Sequence, residues 1–143
     1  MTERKKFGPH QLWYEPDTGF ICVVQVGTMG EEEARELVDF VLEQAAQTPG
    51  EPTFTLTDNR RATGLTSGAR KVMTTSRQAD TFEGYIAMFG TSFAMRAVTN
   101  LLFKAVAFAG VSKLTVNAFS TEAEARAWLT EHRLAYLART RRA

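Results

Sequence analysis

The chain has 143 residues with 17 Lys+Arg against 16 Asp+Glu, 44% hydrophobic residues, one cysteine, ten glycines and four prolines. That composition describes one globular domain with enough apolar mass for a core, and excludes a disordered, collagenous or disulfide-stapled chain. The net charge of +1 hides a partition: residues 1 to 6 carry +2, residues 133 to 143 carry +4, and the 126 residues between, with ten basic and fifteen acidic side chains, carry −5. Basic ends on an acidic body argue against a broad nucleic-acid-binding face, and mobile ends are expected at 1–9 and 134–143.

Cys22 lies in an apolar run and has no second cysteine to pair with, so it reads as a small core residue and the chain as a cytoplasmic one. Met1 to His10 lacks the apolar stretch of a signal peptide. The most apolar segment, Phe93 to Ala109, is interrupted by Arg96 and Lys104, too short and too charged for a membrane span.

Along the chain, His10 to Glu15 can extend, and Phe20 to Val26 is β-branched and nearly all apolar, as a buried strand is. Pro16-Asp17-Thr18-Gly19 between them is a turn signal, which predicts a hairpin. A helix follows, with Ala34, Leu37, Val38, Val41, Leu42 and Ala45 on one stripe and Glu31, Glu32 and Glu33 in its first turn. The triple-Glu run reads as a helix start and not as a metal site. Thr53 to Asp58 alternates with period two, a strand with one apolar face, and Asn59 to Leu65 is expected to be a loop.

Thr66 or Ser67 is an N-cap candidate for a second helix reaching about Gln78. Phe82 to Phe89 reads as a strand, Thr91 to Ala109 as a third helix, and Val111 to Phe119 as the last strand. Thr121 to Glu124 has the spacing of a capping box opening a final helix that packs through Ala125, Trp128, Leu129 and Tyr136. The order β-β-α-β-α-β-α-β-α predicts a single α/β domain over 10–133 with a five-stranded mixed sheet, its last four strands parallel. Ligands and partners of such sheets gather at the carboxyl ends of the strands, here after Val26, Asp58 and Phe89.

This order, and the segment Phe54-Thr55-Leu56-Thr57-Asp58 followed by Thr66-Ser67-Gly68, resembles the STAS domain family, the anti-sigma factor antagonists of the SpoIIAA type. In those proteins an Asp-Ser-Ser/Thr-Gly stretch opens the second helix and carries a serine that a partner kinase phosphorylates. Ser67-Gly68 and Thr66 match the hydroxyl and glycine positions, and Leu65 stands where the Asp would be. A broader group of small SpoIIAA-like proteins of unassigned role is similar as well, through Leu56-Thr57-Asp58-Asn59-Arg60 and Ala125-Arg126-Ala127-Trp128-Leu129. The resemblance implies a SpoIIAA/STAS-like α/β fold, a protein-interaction or regulatory function and bacterial signalling. The fold is shared with lipid-carrying Sec14-like domains, so it does not select a function by itself.

Two candidate surfaces result. Asp58 and Arg60 at a strand end, with Thr66, Ser67 and Arg70 at a helix start, are expected to converge on an anion or phosphoserine site; the alternative is an N-cap and a loop tie. On the third helix, Arg96, Asn100 and Lys104 fall within about 80°, leaving an apolar arc of about 240° for Met95, Val98, Leu101, Leu102, Val106 and Phe108. That excess suggests a homodimer, a protein partner, or a lipid or small apolar ligand, unless the last helix covers it.

Catalytic patterns are sparse. His10 precedes the hairpin, and His132 continues the apolar stripe of the last helix as a packing histidine. No metal-ligand spacing occurs, and Gly27-Thr28-Met29-Gly30 lacks the ending of a phosphate-binding loop. Ser67 and Asp58 have no nearby histidine to complete a triad. A non-enzymatic module without metal or cofactor is the expectation.

Overall fold

The computed structural model describes residues 3–75, 83–97, 99–101 and 113–141. Its strands are β1 (Lys5–Phe7), β2 (His10–Glu15), β3 (Phe20–Met29), β4 (Thr53–Leu65), β5 (Glu83–Phe89) and β6 (Lys113–Phe119). The helices are α1 (Glu31–Gln47), α2 (Ser67–Thr75), α3, with described turns at 93–97 and 99–101, and α4 (Glu122–Arg141).

The strands form one sheet in the order β1-β2-β3-β4-β5-β6, antiparallel through β3 and parallel from β3 to β6. The α/β class and the parallel half are as the pattern indicates, but the sheet has six strands where five were expected. The extra one is β1, which turns back onto β2 through Gly8, whose φ of 63° suits glycine, and buries Phe7. Three residues reading Lys-Lys-Phe carry no period, so only pairing with Gln11 and Leu12 reveals them as a strand. Lys5–Phe7 thus lies in the sheet and α4 runs on to Arg141, both beyond the 10–133 limits set for the domain.

The parallel steps from β3 to β4 and from β4 to β5 each move to the next strand in order, so right-handed crossovers put α1 and α2 on one face. On that face Phe7, Leu12, Ile21, Val23 and Met29 pack against Ala34 and Ala69, with Leu37, Phe40, Val41 and Val72 around them. The opposite face, with Phe20, Cys22, Phe54, Leu56, Tyr85, Ala87 and Phe89, is covered by Ala125 and Leu129 of α4. Trp128 and Tyr136 pack at its margin, as the stripe of the last helix indicates. His132 belongs to the same packing: its ring stacks on Tyr85 at 4.5 Å and meets Trp128 edge-on at 4.6 Å.

One ionic cluster fastens α4 to the hairpin. Glu15, at the end of β2, accepts hydrogen bonds from Arg126 Nη1 at 2.8 Å and Nη2 at 3.1 Å, from Thr18 Oγ1 at 2.7 Å, and from Cys22 Sγ at 3.8 Å. Arg126 also donates from Nε to Glu122 at 2.8 Å, so its planar fork bridges two carboxylates. The Arg126 hydrogen bonds outweigh burial and hold the Glu15 carboxyl down at about 2. Burial, with Glu15 beside it, pushes the Cys22 thiol up to about 12, leaving it a packing residue and a poor nucleophile.

Because Glu15 is more acidic folded than unfolded, its contribution is fully present above its ordinary value of 4.5 and fades as pH falls toward about 2. Glu15→Gln is therefore expected to lower unfolding free energy by about 1–3 kcal/mol at neutral pH. Denaturation at pH 7 and near pH 3 should show the gap between wild type and variant closing at the acid end.

Candidate functional site

The second-helix site begins at Thr66. Its N–H donates to Met29 O at 3.0 Å, its hydroxyl accepts Ala69 N–H at 3.1 Å, and its carbonyl accepts Arg70 N–H at 3.0 Å. Thr66 is thus the N-cap, tied to the end of β3, and Ser67 is the first, exposed residue of α2. Gly68 lies directly under α1, where an added Cβ would come within 2.9 Å of Glu31 Cβ and 3.2 Å of its Oε1. The acidic start of α1 is therefore set against the start of α2.

Asp58 and Arg60 form a separate unit. Asp58 Oδ1 accepts Arg60 N–H and Nε–H, each at 3.0 Å, and Oδ2 accepts Nη2 at 2.7 Å. Burial works to raise the Asp58 carboxyl, but the hydrogen bonds and charge of Arg60 prevail and keep it below its ordinary range. The Arg60 guanidinium stands 5.3 Å from the Phe89 ring, and its side chain closes over Gly90. Next to it Asn59, 3% exposed, donates from Nδ2 to Thr91 Oγ1 at 3.4 Å, while its Oδ1 has no hydrogen-bond partner among the described residues. Ser92 follows as a cap, accepting Met95 N–H on Oγ at 3.2 Å and Arg96 N–H on its carbonyl at 2.9 Å.

These two units do not converge. The expected loop over Asn59 to Leu65 is strand: β4 continues beside β3, pairing Val26 with Arg61, Gly27 with Ala62, Thr28 with Gly64 and Met29 with Leu65. Bulges between Val24 and Val26 and between Gly27 and Thr28 take up two extra β4 residues. Between the pairs Val24–Asp58 and Met29–Leu65, β3 advances five residues, about 17 Å of strand. Asp58 and Arg60 therefore belong with the end of β5, and Thr66, Ser67 and Arg70 with the start of α1.

The third-helix candidates divide as well. Met95 is buried and Thr99 is buried behind it, its hydroxyl donating to Met95 O at 2.6 Å. Leu101 is 68% exposed, and so is Phe93, more strongly, at 90%, a residue the sequence reading passed over. At 100° per residue, Phe93, Ala97 and Leu101 share a side, and Met95 and Thr99 lie opposite. Val98, Leu102 and Phe108 lie outside the residues whose side chains are described.

A buried polar pair was also missed. His10 is 0% exposed and joins three segments: its Nδ1 accepts Val26 N–H at 2.9 Å, its Nε2 meets Glu33 Oε1 at 3.1 Å, and its ring lies 5.0 Å from that of Phe7. Glu33 Oε1 also accepts Gly30 N–H at 2.9 Å, capping α1. That hydrogen bond and the one from His10 outweigh burial and hold the Glu33 carboxyl below its usual range. The local sequence offers no sign of it, since the partners of His10 lie 16 and 23 residues away.

No protein-family profile matches the chain, and no curated protein does. Among solved structures, an uncharacterized protein from the DUF3478 family with a SpoIIAA-like fold, from Shewanella loihica PV-4, matches with a TM-score of 0.56. The chain has a SpoIIAA-like fold. The likeness covers 90% of this chain and 92% of that one at 14% identity, which speaks for the fold alone. Within this SpoIIAA-like frame no helix among the described residues is long and apolar enough to cross a membrane, and no group of three His, Cys, Asp or Glu side chains could hold a metal.

Thr66→Ala should cost about 1 kcal/mol of stability through loss of the cap, whereas Ser67→Ala should stay within about 0.5 kcal/mol. Equilibrium denaturation of the two variants separates the residue that builds the helix start from the one that is merely exposed on it.

Proposed function

We propose that the protein is a non-catalytic binding module of STAS type that works by contact through the outward face of α3, with a protein partner or a second copy as the occupant. The observation that carries this is the pair Phe93 and Leu101, 90% and 68% exposed on one side of one helix. Isolated apolar side chains on a surface are ordinary, but two large ones spaced two turns apart, with exposed Ala97 between them, form a stripe. The single buried cysteine suits a reducing, cytoplasmic setting.

A second reading, in which the same face meets lipid or a small apolar ligand, has one observation in its favour. Residues 84–121 contain no Asp or Glu and carry Arg96, Lys104 and Lys113. Apolar residues flanked by cations without acids suit an anionic lipid surface. Ser67 is where a regulatory phosphate would be received, with Arg70 three residues on. Glu31 sets a carboxylate against that helix start, so the reading rests on α3 and not on a phosphoserine switch.

The double variant Phe93→Asp/Leu101→Glu removes only exposed apolar surface and is expected to keep wild-type stability within about 1 kcal/mol. Native mass spectrometry of freshly purified protein should show a bound protein or dimer in wild type that the variant loses. A copurified lipid lost in the variant would favour the second reading. Identical bare monomers for both proteins at high concentration would overturn the docking face.

A further inference from the structure

The two edges of the sheet are built differently. At one edge β1 is three residues long, opens on Lys5 and Lys6, both exposed, and follows Arg4. Short length and charge blunt an edge against further pairing. At the other edge β6 is seven residues long and pairs with β5 residue for residue, from Glu83 with Lys113 to Phe89 with Phe119, without a bulge. It has no proline and no charged residue from Leu114 to Phe119. Among the described residues no strand lies on its far side.

Two hydrogen bonds give the direction of its backbone. Phe119 O accepts Gly90 N–H at 3.2 Å, so Phe119 turns its polar groups toward β5. Ala118 N–H is donated instead to Asn117 Oδ1, in its own strand, at 2.9 Å. Successive residues of a strand point their N–H and C=O groups to opposite sides, so Thr115 and Asn117 bond inward as Phe119 does, while Leu114, Val116 and Ala118 present theirs outward. The Phe119 ring meets Trp128 of α4 at 5.8 Å. By the same alternation Thr115 and Asn117 share the α4 side of the strand, and Leu114, Val116 and Ala118 the other.

We propose that the outer edge of β6 is a dimerisation edge, and that its occupant is β6 of a second copy, antiparallel about a two-fold axis at Val116. In that register Val116 exchanges both of its hydrogen bonds with Val116 of the second copy, and Leu114 stands opposite Ala118. The side chains match on both faces. On one, Leu114, the largest of the apolar row, meets Ala118, the smallest, with Val116 against itself between them. On the other, Thr115 meets Asn117, both exposed and both uncharged, so no like charges are brought together along the row. Among the described contacts of the outward backbone groups, the Asn117 cap alone has to yield: Ala118 N–H passes from Asn117 Oδ1 to Leu114 O of the second copy. This edge is separate from the outward face of α3, and the proposal stands whether or not that face binds anything.

Amide exchange of the full chain at two concentrations reads the pairing directly. The Thr115 and Asn117 amides, bonded to β5, should be protected at about 10 μM and about 1 mM alike, whereas the outward Leu114 and Val116 amides should gain about tenfold protection or more at the higher concentration. Sedimentation velocity over the same range should show monomer giving way to dimer. Val116→Pro removes an outward N–H and none of the β5 ladder, so it should keep the wild-type far-UV spectrum and raise the dimer dissociation constant by about tenfold or more. Ala118→Lys, at an exposed position, should weaken the dimer likewise, and it serves where the proline variant fails to fold. A monomer at the higher concentration, with Leu114 and Val116 unprotected throughout, would overturn the proposal. So would a dimer that survives both variants, or one that is lost in Phe93→Asp/Leu101→Glu and leaves the Val116 amide unprotected, which would put the contact on α3.

Discussion

The parallel ladder between β3 and β4 is the constraint on which the rest of the molecule depends. It outruns the other parallel pairs, since β5 and β6 stop at Phe89 and Phe119 while β3 and β4 continue to Met29 and Leu65. The extension is stitched by polar groups. Gln25, buried, donates to the carbonyls of Gly27 at 3.1 Å and Gly64 at 2.9 Å, and the Thr28 and Thr63 hydroxyls lie 3.0 Å apart. A buried amide satisfied across two strands fixes their register where bulges would otherwise let it slip. Because both strands end together, α1 and α2 start side by side, and Gly68 fits under Glu31 for that reason.

From this ladder the two helical layers acquire different characters. On one face α1 and α2 are held by their starts, through Thr66 on Met29 O and Glu33 on Gly30 and His10. On the other, α4 is held by aromatic packing and by Arg126 reaching back to Glu15, 111 residues away in sequence. Both fastenings are polar pairs with partial or full burial, so removing one member leaves a desolvated charge or dipole. The hairpin takes part in both, through His10 at one end of β2 and Glu15 at the other.

Much of this was legible in the sequence, and the misses have physical causes. Phe20 to Val26 and Thr53 to Asp58 announced themselves by apolar run and alternation because each buries side chains on at least one face. Asn59 to Leu65 did not: a stretch reading Asn-Arg-Arg-Ala-Thr-Gly-Leu has no such pattern, and its strand character comes from the β3 backbone beside it. That one misreading merged Asp58 and Ser67 into a single site. Thr66 as a cap and Glu31 to Glu33 as a helix start were visible, since capping is local chemistry. The surplus of apolar residues on the third helix was visible too, but a helical wheel cannot say which direction the sheet lies, so buried Met95 and exposed Leu101 were grouped together and Phe93 was passed over.

Functionally, Asp58 is bound by Arg60 and Thr66 is used as the cap of α2, which is why the docking reading falls on an apolar helix face. Everything in the separation of the candidate sites depends on β4 running unbroken past Asp58. The direct measurement is a set of cross-strand NOEs and amide exchange rates for Arg61, Ala62, Gly64 and Leu65. The account predicts strand-like protection and sequential contacts to Val26, Gly27, Thr28 and Met29. Rapid exchange over 59–65 with no contacts to β3 would mean a loop, and would restore Asp58 and Ser67 to a single surface.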